Sequence, residues 1–180
     1  AGRISLLQAN DLAVLLSEIE RINPAEILIS EDSHLEEHLN KHPCLRKRAS
    51  WEFEQKTAEK LLISQFDVKD LTAYDCEDIP LAISAAGALL SYAKDTQRSN
   101  LRHIQTMAKE LQALYIQIDP NTRKNLEIDT NLRGTKENTL CQILDKTTTP
   151  MGSRLLKRYL HKPLRDHQVC LLYTSDAADD

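Results

Sequence analysis

Two rhythms of apolar and polar positions run along this chain. Near the start, Ile4 and Leu6 share one face of a strand predicted over residues 2–7. Asn10 or Asp11 can cap a helix with apolar positions at Leu12, Leu15, Ile19 and Ile22, and Pro24 ends it. The run AEILIS (25–30) reads as a buried strand, and Ser33 can cap a short helix reaching Lys41, with Pro43 beyond. Trp51 and Phe53 alternate with Glu52 and Glu54, the pattern of a half-buried strand with Trp51 packed inward. Residues 57–66 return to helical spacing, with Ala58, Leu61, Leu62 and Phe66 inward. Strand and helix alternate through this first part, which predicts an α/β sheet domain.

The longest predicted helix covers 80–95, with Asp78 as its cap. Ala82, Ala85, Ala86, Gly87, Ala88 and Ala93 make it rich in small residues, which let a neighbouring backbone come close. Gly87 costs about 1 kcal/mol against alanine inside a helix, and close packing is the expected offset. A polar connection follows at 97–100. Leu101, Ile104, Met107 and Leu111 suit a helix, whereas Leu114, Ile116 and Ile118 alternate as a strand, and a strand is expected over 114–118.

Three helix starts come next. Asp119 followed by Pro120 opens one, in which Leu126, Asp129 and Leu132 keep helical spacing and Gly134 is the expected stop. Thr139 and Gln142 have the spacing of a capping box, ahead of Leu140, Ile143 and Leu144. Thr149 and Pro150 form the sharpest start, a hydroxyl cap followed by a residue whose missing N–H costs nothing at the first helical position. Met151, Leu155, Leu156, Tyr159 and Leu160 give this helix a stripe expected to be buried; Arg154, Lys157, Arg158, His161 and Lys162 fill its other side. Pro163 stops it.

Composition adds a boundary. The 180 residues are 41% hydrophobic but only 4% aromatic, so the core must be mainly aliphatic. The net charge of −4 conceals an asymmetry: residues 1–100 carry 11 Lys and Arg against 17 Asp and Glu, whereas residues 101–168 carry 12 against 7. The change of sign near residue 100 predicts a domain boundary and makes the second part the better neighbour for phosphates. No run of about 18 apolar residues predicts a membrane-spanning helix, and no signal peptide opens the chain. Cys44, Cys76, Cys141 and Cys170 show no C-x-x-C pairing, as expected of thiols in a reducing cytoplasm. A start at Ala1 in mid-pattern leads us to expect a fragment of a longer protein.

Candidate chemistry is sparse. His34, His38 and His42 stand at i, i+4, i+8 with Cys44 after them, a spacing that could hold zinc, but Pro43 and the surrounding acids fit a solvated surface helix, and no metal site is assigned. Asp75, Glu77 and Asp78 could hold a hard cation, although capping by Asp78 accounts for them more simply. Ser153 lies in a first helical turn and has no role as a nucleophile. None of the four glycines (Gly2, Gly87, Gly134, Gly152) begins a phosphate loop or a dinucleotide fingerprint, so no catalytic or cofactor-binding residue is assigned and no enzyme activity is expected of the chain itself. Arg46, Lys47 and Arg48 precede Trp51, and base stacking there competes with Trp51 simply packing inward. The basic residues Arg154, Lys157, Arg158 and Lys162 remain the candidate nucleic-acid contacts.

The order of residues says more than their spacing. TPMGSRLLKRYLHKPL (149–164), AAGALLSYAKDTQ (85–97) and TRKNLEIDTNLRG (122–134) closely resemble stretches of MutS, the bacterial DNA mismatch-recognition ATPase, in the order that family shows; INPAEILISED (22–32) and WEFEQKTAEKLL (51–62) also fit. The resemblance runs from Ala1 to about Gln168. It implies an α/β fold followed by a mainly α part: residues 1–100 as an incomplete RNase-H-like connector domain lacking its earliest strands, and residues 101–168 as the first helices of a helical core (lever) domain. The stretch 169–180 is expected to be non-native, because CLLYTSDAADD (170–180) resembles a translated sequencing adapter. The resemblance further implies a parent that binds mismatched duplex DNA, uses ATP and Mg, recruits MutL, acts as a homodimer and works in the cytoplasm at the nucleoid. The family's mismatch-reading Phe-x-Glu motif is absent from this chain, since Phe53 is followed directly by Glu54. On this reading the chain couples mismatch binding to an ATP-driven conformational change; the alternative is a stand-alone basic-helix DNA-binding module. With further core helices expected outside the chain, residues 121–168 should be loosely packed.

Overall fold

A computed structural model describes residues 2–40, 42, 44–166 and 168. The chain divides into two compact units. The first comprises residues 1–11 and 23–110; the second comprises Leu12–Ile22 together with the chain from Leu111 onward. Charge alone places the boundary near residue 100; packing places it at Glu110 and also assigns one early helix to the second unit.

In the first unit, β1 (Arg3–Leu6) pairs in parallel with β4 (Thr106–Lys109), with Ile4 opposite Met107. β2 (Ile27–Ser30) pairs in parallel with β3 (Leu45–Arg48), crossing over through the short helix α2 (Glu36–Leu39). α3 (Gln55–Phe66) packs on α4 (Pro80–Gln97). Between them and the β1–β4 pair lies an aliphatic core that includes Leu6, Ala58, Leu62, Ile83, Ala86, Leu90, Leu101 and Met107. The mixed helices and small parallel sheets agree with an α/β first part.

Gly87 sets the spacing of the two helices. A Cβ added there would sit 2.3 Å from the Ala58 Cβ and 2.5 Å from its Cα. The offset expected for a mid-helix glycine is therefore present: backbone meets backbone, and Ala58 and Ala88 are fully buried beside the contact.

The structure departs from several expectations. The second strand of the β2 pair is the charged run Leu45–Arg48, whereas residues 50–53 form a 3-10 turn. Ser50 is tied there to Glu31 and Asp32, which turns the chain out of the sheet. That turn reverses the predicted faces: Glu52 is buried and bonded to Arg48, while Trp51 is 70% exposed rather than packed inward. Asp78 does not cap α4; both its carboxylate oxygens accept from Lys109 Nζ, at 2.6 and 2.7 Å. The helix expected from Ser33 to Lys41 contracts to the four residues of α2.

The second unit holds α1 (Leu12–Ile22), α5 (Pro120–Asn125), α6 (Leu140–Leu144) and α7 (Pro150–His161). Its three late helix starts are as the caps predict. Asp119, Thr139 and Thr149 each accept a backbone N–H with the side chain. Gln142 completes the capping box one residue earlier than the usual form, accepting from Asn138 N at 2.6 Å. The strand expected over 114–118 reduces to one antiparallel bridge, Tyr115 with Leu164, after a 3-10 turn at Gln112–Leu114. α5 stops at Asn125 instead of running to Gly134. Glu127 has a left-handed φ of 47°, and the Asn131 side chain accepts from the Arg133 and Thr135 amides, an alternative to the helical ladder. The tail at 169–180 lies outside the described residues.

The stripe of α7 expected to be buried is covered only in part, with Leu156 and Leu160 half-buried. Met151 is 68% exposed, and Leu155 and Tyr159 are also exposed, while His161 and Lys162 beyond them are buried. Among the described residues, Ile128 is the one buried aliphatic side chain of this unit.

The Gly87 contact makes a clear prediction. Gly87→Ala gains about 1 kcal/mol in helix propensity yet should destabilise the chain by about 1–3 kcal/mol through overpacking. Urea denaturation measures the sign, and a stabilised variant would contradict the packing described.

Candidate functional site

The candidate nucleic-acid residues lie on and just after α7, and the structure treats them unequally. Arg154 is exposed, with its Nε donating to the Pro150 carbonyl at 3.1 Å. Lys157 pairs with Asp129 at 3.0 Å. Arg158 is half-buried. Lys162 is 5% exposed and pairs with Glu18 at 3.0 Å, its ammonium 5.8 Å from the Tyr115 ring centre. The helix therefore keeps Arg154 exposed, leaves Lys157 part-exposed in its ion pair and turns Lys162 into the protein.

What gathers there is a buried polar cluster. Glu18 accepts from both Nε and Nη2 of Arg21, at 3.1 and 2.9 Å, and receives Lys162 as well. Arg123, also buried, donates to the Ser17 carbonyl at 3.2 Å. Asp129 takes Lys157 and lies 3.4 Å from His161 Nε2, a buried nitrogen that makes no hydrogen bond. Sequence reasoning missed Glu18, Arg123 and Asp129 as a group. The one local signal was Glu18 and Arg21 at i, i+3; the rest depends on contacts between distant parts of the chain.

Burial alone would raise the Glu18 carboxyl, but the bonds from Arg21 and Lys162 outweigh it and hold it below the usual range. Asp129 behaves alike: burial pushes up, and Lys157 with His161 pulls its carboxyl down further. Burial lowers both the His161 imidazole, against the pull of Asp129, and the Arg123 guanidinium. The cluster fixes charges in place. Nearby, burial raises the Cys141 thiol, and Ser153, in the first turn of α7, donates to Asp145, which precedes the helix.

The other candidates do not assemble. α2 is too short to set His34, His38 and His42 on one helical face, and among the described residues no group of three or more His, Cys, Asp or Glu could hold a metal ion. Arg46, Lys47 and Arg48 pair with Glu26, Glu36 and both Glu52 and Asp95. Gly87 lies inside α4 and Gly152 in the first turn of α7; Gly2 is pressed against the His103 carbonyl, and Gly134 sits in an open turn. These positions make no phosphate cradle, and their surroundings do not fit a nucleotide. No described helix is long and apolar enough to cross a membrane.

Set beside known families, residues 1–105 match the model of MutS domain II and residues 121–170 match that of MutS domain III.

The His161 environment carries a pH prediction. The folded imidazole titrates below its ordinary value of 6.5, so the unfolded chain binds the proton first. The stability it contributes is present above 6.5 and is lost as pH falls through the folded value. NMR titration of the His161 ring should give a midpoint below 6.5, and His161→Gln should flatten the decline in stability between about pH 7 and pH 5. A midpoint at or above 6.5 would contradict the burial described.

Proposed function

The chain belongs to the MutS family, and from that premise we propose that it is the joint between connector and core in a DNA mismatch-repair protein. On this reading the parent binds mismatched duplex DNA, acts as a homodimer in the cytoplasm, recruits MutL and uses ATP with Mg through parts outside this chain. The segment itself does no chemistry. It passes movement between mismatch binding and the ATP-driven conformational change.

The observation that supports a mechanical role is the backbone contact of α3 and α4 at Gly87 and Ala58. A lobe packed that closely resists local deformation, so a displacement at one end is carried as rigid-body motion. The basic-helix alternative draws little from the geometry, since Lys157 and Lys162 are held in ion pairs.

In a full-length protein carrying this segment, the Ala86→Leu, Gly87→Leu double variant should lose the effect of ATP on mismatch affinity. The ratio of affinities with and without ATP should fall to near one, from the about 5–150-fold that allosteric couplings commonly span. Fluorescence binding assays measure it. An unchanged ratio in a folded variant would contradict the proposal, as would ATP hydrolysis by the 180-residue chain alone.

A further inference from the structure

The chain passes between its two units three times. β1 and β2 belong to the first unit, yet α1, which joins them, packs in the second. The match to MutS domain II runs through this helix without interruption. α1 is thus a helix of one domain's sequence lodged in the lobe that carries the other's.

What holds α1 in place is unusual for an amphipathic helix. Its one buried residue is Glu18. Leu12, Leu15, Leu16 and Ile19 are only half-buried, and Ile22 is 58% exposed. The firm attachments are polar: Glu18 to Lys162, and the Ser17 carbonyl to Arg123. Arg21, on α1 itself, orients Glu18. Both flanks are irregular. Residues 7–11 have no regular structure, and the helix ends at Asn23, whose φ is 45°, followed by Pro24.

We propose that α1 is a releasable strap, latched into the second unit by the Glu18–Lys162 and Ser17–Arg123 contacts, through which the first unit pulls on the second. A buried ion pair suits a latch. Removing one partner strands the other charge in the protein, so the contact is made or broken rather than weakened by degrees. An apolar face would slide and re-pack with little penalty. Any displacement of β1 or β2 reaches α1 directly through the backbone, and release of α1 takes Glu18 from Lys162 and the Ser17 carbonyl from Arg123.

The inference rests on the coupling role proposed above for its purpose, but its test needs neither DNA nor ATP, so the two can fail separately. Hydrogen exchange with mass spectrometry is measured on the 180-residue chain and on Glu18→Gln, Lys162→Met and the double variant. In each single variant, peptides covering 12–22 and 120–125 should exchange at least tenfold faster, while peptides covering 82–90 keep their rates. The double variant, which removes both ends of the Glu18–Lys162 pair and leaves Arg21 as it stands in Glu18→Gln, should exchange no faster than either single. Unchanged rates at 12–22 would overturn the strap. So would acceleration spread evenly into 82–90, or effects of the two substitutions that simply multiply.

Discussion

The first unit depends on one close approach. Where α4 crosses α3, there is no room for a side chain at position 87, and the two backbones meet across Ala58. Leu62 and Leu90 lie in the core beside it with almost no exposed surface. Met107 of β4 and the strand residues Ile4 and Leu6 then close the core from the other side. Gln65, at the end of α3, donates to carbonyls of Leu101 and Ile104 and fixes the turn that leads into β4. A structure that begins from a backbone contact has little freedom left, because packed interiors convert small shifts into movement of whole elements.

The second unit is held by different forces. Its buried positions include Glu18, Arg123, Thr139, His161 and Lys162, alongside Ile128. Polar burial of this kind contributes modest net stability but demands a particular geometry, since each partner left alone carries a desolvation cost. Exposed Met151, Leu155 and Tyr159 on α7, with Leu140, Ile143 and Leu144 on α6, leave much apolar surface uncovered.

Local features were readable from the residues, and non-local ones were not. Caps at Asp119, Thr139 and Thr149 need only a side chain and an amide three residues on, and all three form. The small-residue helix was readable because glycine in mid-helix calls for a compensating neighbour. β3 was missed because Arg46, Lys47 and Arg48 look like a loop until Glu26, Glu36 and Glu52 are brought to them. The same long-range pairing misled the reading of Asp78, which Lys109 takes away from the helix start. On α7 the spacing of the apolar stripe was right and its burial wrong: periodicity defines a face, but neighbours decide whether anything covers it. Of the candidate site, Arg154 keeps the exposure that a contact with phosphate needs, whereas the burial of Lys162 follows from Glu18, near the other end of the chain.

Membership in the MutS family places these two lobes in a protein of DNA mismatch repair, and the rigidity proposed for the first of them rests on the Gly87–Ala58 contact. The most direct test is a pair of spin-label distance measurements in a full-length protein carrying this segment. One pair of labels, at Leu81 and Lys60, lies within the first unit; the other, at Leu81 and Arg154, spans the two units. On adding ATP, the first distance distribution should stay unchanged while the second shifts. A first distance that moves as much as the second would contradict a rigid first lobe.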